Sequence, residues 1–219
     1  AMRPKIPTLR LALEGRFGAH HAMLARMHLD HIDQLSAMEA RLDKEVDKLM
    51  APFAEAATRL LTIPGVGKRT AEVVISEIGV DMTRFPTANH LASWAGLCPG
   101  NDESAGKRRS GRPTKGNEAL RSILCEAAWA ASHTKDTYLA AQYRRFLRRM
   151  GKRNESKAIF AVAHTMLTVI WHILASDTAT YHDLGHDYFE KRNDTAARQR
   201  YLVRELEKLG HRVSLEPAA

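Results

Sequence analysis

The chain has 219 residues, which at roughly 150 residues per domain allows one large domain or two small ones and excludes a large multidomain machine. Hydrophobic residues make up 44%, charged residues 26% and aromatics 6%; this composition can bury a core, while 13 Gly and 8 Pro leave little material for the turns of an all-β fold. The charge is +8 with His neutral, and it is unevenly spread. Between Ser104 and Arg153 stand thirteen basic and three acidic residues, a net +10, so the rest of the chain is slightly acidic. Such local positive charge suits a polyanion such as nucleic acid, although a charge run also serves as a plain solvated face.

In chain order, Ala1-Met2 is followed at once by Arg3-Pro4-Lys5, with no apolar targeting core, and this start reads as that of a fragment. Across residues 24–53, Leu35, Leu42 and Leu49 repeat every seven positions beside Ile32, Met38 and Val46, which predicts a long amphipathic helix. Such a helix is either a coiled-coil or hairpin arm or a helix packed on its own domain. Gly15 and Gly18 break any continuous helix back to Leu9. The arm is assigned residues 1–51. A second unit, 52–176, holds helices over Lys68 to Ile78, Ala119 to Ala131, Tyr138 to Met150 and Ser156 to Leu174. The apolar run from Ile159 to Leu174, interrupted by His164 and His172, is short for a bilayer span and reads as a buried helix, so no membrane partner is expected. The third segment, 177–219, shows helical spacing through Tyr201, Leu202, Leu206 and Leu209, with Gly210 as a stop. The expected fold is mainly α: a long helical arm, a compact helical domain containing a hairpin, and a C-terminal helical extension.

The clearest local motif is Leu61-Thr62-Ile63-Pro64-Gly65-Val66-Gly67-Lys68-Arg69-Thr70-Ala71, set between two helices. It resembles the helix-hairpin-helix of DNA-binding proteins. Gly65 and Gly67 permit a tight turn and close backbone approach, and the free amides and dipole of the next helix, with Lys68 and Arg69, make an anion site that grips phosphate without reading bases. An ordinary Gly-Pro turn is the alternative. Base-excision glycosylases use a similar hairpin, but their lysine would fall at Arg69 and their acidic residue at Thr87; both are absent, as is an iron–sulfur cysteine set.

Further on, Ser104 follows Asp102-Glu103 and is followed by the small residues Ala105 and Gly106, in a loop with Lys107, Arg108, Arg109, Arg112 and Lys115. A serine nucleophile attacking a phosphodiester needs an accessible hydroxyl and cations to neutralise developing charge; this loop has both but no evident base. Ser110 is the alternative nucleophile. Arg144, Arg145, Arg148 and Arg149 recur at helical spacing, with Lys152 and Arg153 beyond, and repel one another unless phosphates neutralise them. His182 and His186 have helical metal-pair spacing but no third ligand, so no metal site is assigned, nor is one at His20, His21, His28 or His31. Trp94, Trp129 and Trp171 lie in apolar surroundings and read as core. Cys98 and Cys125 lack CxxC spacing, which excludes a cysteine zinc site and fits a reducing compartment.

The ordered combination of arm, LTIPGVG hairpin, the Trp94-Ala95-Gly96-Leu97-Cys98-Pro99 segment, the loop from Ser104 through Asn117 and the tail from Tyr181 to Phe189 resembles the IS-one-ten family of insertion-sequence transposases, also called bridge recombinases. The resemblance covers essentially the whole chain and implies a C-terminal transposase domain. In that family an N-terminal RuvC-like domain with acidic metal ligands, expected to hold Mg2+, works with a serine in a short SGGK-like loop, while a bridge RNA pairs with donor and target DNA. The serine maps onto Ser104, with Ala105 in place of the commoner Gly. The resemblance thus implies DNA strand cleavage and rejoining through Ser104, with DNA and a guide RNA as partners, a homo-oligomer through the arm, a bacterial cytoplasmic location and no cofactor in this chain. The competing reading is a non-catalytic nucleic-acid-binding scaffold for synapsis.

Overall fold

A computed structural model describes residues 3–15, 17–98, 100, 102–111, 113–192 and 195–215. The protein is mainly α-helical and divides into two compact units, Ala1–Pro52 and Phe53–Ala219, the second taking in the stretch beyond residue 176.

In the first unit a 3-10 turn, Arg3–Lys5, leads into α1 (Ile6–Leu13), and α2 (Ala19–Met50) follows. Gly15 turns the chain at φ +77° and Gly18 is the N-cap of α2, so the two glycines interrupt the helix where their backbone freedom predicts. The 32 residues of α2 extend about 48 Å at 1.5 Å per residue. None of them is buried, and Ile32, Leu35, Leu42 and Leu49 are all exposed.

The second unit runs α3 (Ala54–Leu60), α4 (Lys68–Ile78), α5 (Ala88–Trp94), β1 (Asp102–Ser104), β2 (Lys107–Ser110), α6 (Glu118–His133), α7 (Tyr138–Met150), α8 (Glu155–Leu174), α9 (Tyr188–Lys191) and α10 (Thr195–Lys208). Its centre is α8, which packs against α3, α5, α6 and α7 and buries Val162, Met166, Leu167 and Ile170 completely. Each such side chain contributes about 1.5–3 kcal/mol relative to exposure. Small residues on both partners, Ala127, Ala128 and Ala131 on α6 and Ala158 and Ala163 on α8, are buried and let the helices approach closely. By length and composition the helical run Lys152–Leu174 could cross a membrane, but half of it is buried inside the protein, as the expectation of a buried helix requires.

Side-chain caps mark where these helices start. Asn117 Oδ1 accepts from Leu120 N at 2.8 Å on α6, and the Thr87 and Thr137 hydroxyls accept from His90 N and Ala140 N on α5 and α7. Thr87 thus serves as a cap at the position where a glycosylase would carry its acid. At the other end of α8, Arg59 Nη1 donates to the carbonyl of Ile173 at 2.8 Å and to that of Ser176, satisfying carbonyls the helix leaves open. The segment after α8 folds back. Tyr181 N donates to Thr62 Oγ1 at 2.9 Å, and Asp183 Oδ1 accepts from Tyr138 N at 2.9 Å at the start of α7.

Two expectations are corrected. Trp94 and Trp129 are 44% and 56% exposed and are not core. On α6 the inward positions are taken by Leu124, Ala127, Ala128 and Ala131, so Trp129 faces outward and lies against the His133 ring, 4.5 Å between centroids. Trp94 ends α5 and rests on Phe85 at 5.5 Å. Trp171 is half-buried and donates Nε1–H to the Phe85 carbonyl at 2.9 Å. Nor are His182 and His186 on a helix: the chain is irregular there, the i, i+4 spacing has no helical meaning, and His186 Nδ1 lies 3.8 Å from Asp136 Oδ1. Among the described residues no three His, Cys, Asp or Glu side chains converge on a metal position.

Candidate functional site

The hairpin is anchored by Leu60, Ile63 and Val66, all buried, with Val66 N donating to the Ile63 carbonyl at 3.0 Å. Its two glycines do different work. Gly65, at φ +84°, lies flat on α6: a Cβ there would stand 2.3 Å from the Ala127 carbonyl oxygen and 2.7 Å from Ala131 N. Its close approach is therefore to the protein's own backbone. Gly67 has open space around it and caps α4 without any side-chain hydrogen bond, which leaves the first-turn amides facing outward. Thr70, Ala71, Val74 and Ile75 bury the inner face of α4, and Lys68 and Arg69 are exposed on the other. Both cations lean on Glu72, at 3.9 and 3.4 Å.

The serine loop is an excursion of the chain closed at its base by two glycines. A Cβ on Gly116 would stand 2.2 Å from the Ala95 carbonyl carbon and from Gly96 N, and one on Gly96 would stand 2.7 Å from Gly116 N. The two backbones cross in contact with no side chain between them, so residues 97–115 leave and return at one point. Leu97 is wholly buried there, and Asn117 Nδ2 donates to Glu77 Oε2 on α4 at 2.6 Å, tying the loop base to the helix that begins at the hairpin.

On this excursion β1 and β2 pair antiparallel, with Ser104 opposite Lys107 and a register irregularity between Asp102 and Glu103. The turn residues Ala105 and Gly106 have φ +52° and +74°, the two positive values of a type I′ hairpin turn. An alanine there costs about 1 kcal/mol that glycine does not. Ala105→Gly is accordingly expected to tighten the turn, with amide hydrogen exchange around Lys107 slowing about two- to fivefold; unchanged or faster exchange would show that Ala105 is not strained.

Ser104 and Lys107 are exposed, and among the described residues no carboxylate or imidazole is hydrogen-bonded to the Ser104 hydroxyl. The loop presents an exposed hydroxyl and, opposite it across the turn, a cation. Arg112 lies outside the described residues, as do the side chains of Arg108, Arg109 and Ser110; Lys115 is exposed. Both cysteines are free thiols, and burial pushes Cys98 up, as it does Cys125, where Arg121 opposes the shift and Glu126 adds to it.

Leu139, Ala140 and Tyr143 bury one face of α7, while Arg144, Arg145, Arg148 and Arg149 are exposed on the other. The Arg145 guanidinium sits 4.7 Å above the Phe189 ring, which also stacks on Tyr138, so the tail fixes one of these arginines. Arg149, 5.3 Å from the Phe146 ring, lines an open cleft together with Gly111 and Pro113 of the excursion. The stretch of the excursion beyond β2 and the end of the arginine face thus line one cleft, while Ser104 and Lys107 are not among its lining residues. The loop-closing pair Gly96 and Gly116 and the Asn117–Glu77 tie were not singled out from the sequence. A glycine at each end of a basic loop was the signal available.

Residues 57–144, spanning the hairpin, the serine loop and the start of the arginine face, match the Transposase IS116/IS110/IS902 family. The chain is 32% identical over 152 residues to the pilin gene-inverting protein of Moraxella bovis, covering 66% of this chain and 46% of that protein. It is 33% identical over 151 residues to the uncharacterized 43.6 kDa protein of insertion element IS110 from Streptomyces coelicolor, covering 67% and 34%. To the transposase of insertion sequence element IS1328 from Yersinia enterocolitica it is 30% identical over 107 residues, covering 48% and 31%. The match thus spans less than half the length of each of these relatives. With the matched region folding as one helical unit around the hairpin and loop, residues 57–144 are a transposase domain of the IS116/IS110/IS902 family.

Proposed function

We propose that this chain is the part of a transposase that grips DNA and supplies the nucleophile, with Ser104 forming a transient phosphoserine link to a DNA strand. The reading is carried by one observation: an exposed serine at the end of β1, beside a hairpin turn and inside a basic excursion whose base is closed by backbone contact. In the cleavage step Ser104 Oγ attacks the scissile phosphorus and the Oγ–P bond forms. The bond from phosphorus to one deoxyribose oxygen breaks, and that oxygen leaves as a strand-end hydroxyl. A strand-end hydroxyl then attacks the phosphoserine, restores a phosphodiester and releases the serine with its proton. One ester is exchanged for another, so no nucleotide is consumed. Lys107, Arg108, Arg109, Arg112 and Lys115 stabilise the charge that develops on the phosphate.

Phosphates are held, in this reading, by Gly67, Lys68 and Arg69 at the start of α4, with Gly65 setting the turn, and by Arg144, Arg145, Arg148 and Arg149. The hairpin is read as a helix-hairpin-helix. Among the described residues no donor set converges on a Mg2+ position. The ion, and the base that takes the serine proton, are assigned to the RuvC-like partner domain. A guide RNA and a bacterial cytoplasmic location belong to the same proposal. The exposed apolar stripe of α2, with Leu35, Leu42 and Leu49 at heptad spacing, is suited to pairing arms as a coiled coil between copies.

The test is a suicide substrate with a phosphorothiolate at the cleavage position, given to the complete protein. A covalent adduct at Ser104 supports the nucleophile; failure to trap one makes the chain a non-catalytic synapsis scaffold. The grip is tested on the chain alone. Duplex DNA affinity should fall about 10²- to 10³-fold between 50 and 200 mM salt, as for four to six neutralised phosphates. A flat titration, or preference for one short sequence, would overturn phosphate-based binding.

A further inference from the structure

The cleft between the serine excursion and the junction of α7 and α8 has a volume of about 1160 Å³, more than the roughly 300–1000 Å³ of pockets that enclose small ligands. Its lining is apolar and aromatic: Leu97 is wholly buried, and Phe146, Met150 and Phe160 are half-buried and open to it. Its rim is cationic. Arg149 and Lys157 are exposed along it, and no Asp or Glu lines it among the described residues. The Arg149 guanidinium, 5.3 Å from the Phe146 ring, already forms one stacked edge. His164 also lines the cleft, with its Nδ1 turned away from solvent and buried.

Flat apolar faces and a positive rim together match a nucleotide: the rings provide stacking and the cations meet phosphate. An apolar protein segment would not use the cationic rim. We infer that this cleft takes one unpaired nucleobase of the strand lying along the serine loop, stacked on Phe160 and Phe146, with its phosphate on Arg149 and Lys157. The inference rests on the nucleic-acid reading above.

The experiment compares three labelled duplexes of one sequence at matched salt with the full chain: fully paired, with one extrahelical adenine, and with an abasic nucleotide in place of that adenine. The adenine bulge should bind about tenfold more tightly than the other two, the effect of one base–aromatic stack. Phe160→Leu keeps apolar volume and removes the ring, so in a variant that melts like the parent the preference should vanish. Equal, salt-sensitive binding of all three duplexes overturns the base cleft and leaves the phosphate grip standing. Tighter binding of both bulges alike shows a bent backbone to be the ligand and also overturns it, as does a preference that survives Phe160→Leu. No binding to any duplex overturns both readings.

Discussion

In the complete protein, Ser104→Ala is expected to abolish strand exchange, a loss of about 10⁴-fold or more, while changing affinity for DNA less than about twofold. The size of the first effect follows from removing the atom that forms the covalent bond, for which cations and positioning cannot substitute. The smallness of the second follows from the number of phosphate contacts beside which one exposed hydroxyl adds little. Strand exchange measured on paired donor and target substrates, with gel-shift assembly in parallel, separates the two. Ser110→Ala should be milder. Normal recombination by Ser104→Ala with a dead Ser110→Ala would move the nucleophile across the turn, and activity in both would assign the chemistry wholly to the partner domain.

Gly116→Ala is expected to have the largest effect on stability. The added methyl would stand 2.2 Å from the Ala95 carbonyl carbon and from Gly96 N, both backbone atoms, so no rotamer change relieves the overlap. Overpacking costs about 1–3 kcal/mol where side chains can yield; here the two strands at the loop base must part, and about 3 kcal/mol or more is expected. That corresponds to a fall in Tm of roughly 6–12 °C for a unit of this size. Gly67→Ala is the control, since that position has open space and an ordinary φ, and its melt should move by only a degree or two. If the two variants melt together, the crossing of residues 96 and 116 is not what closes the excursion. If Gly116→Ala binds DNA normally once folded, the closed base is needed for stability and not for presenting the loop.

The helices that the apolar spacing predicted are present almost to the residue: Lys68–Ile78 and Tyr138–Met150 agree at both ends, and α2, α6 and α8 differ by a few positions. Helical periodicity is carried by neighbours three and four residues apart, so it can be read along a single chain. α5, with seven residues, is too short to show it, and β1 and β2 were hidden in a run whose charge drew attention instead. The serine followed by Ala105 and Gly106, the basic run and the Gly-Val-Gly turn are likewise local patterns.

Other features depend on atoms far apart in the chain. Nothing near Gly65 says that its missing side chain makes room for the backbone of α6, some sixty residues on; the same glycine reads equally well as a phosphate contact. Asp183 accepts from the amide of Tyr138, and Phe189 stacks on that ring and takes Arg145 on its face, so a tail that looked like a helical histidine pair is a brace for the arginine helix. Trp94 and Trp129 were assigned to the core by their apolar neighbours in sequence, but which side of a helix is buried depends on where α8 lies. Periodicity reports that a face is apolar, whereas contact between two backbones, or a cap donated from forty-five residues away, arises only when packing has brought those segments together.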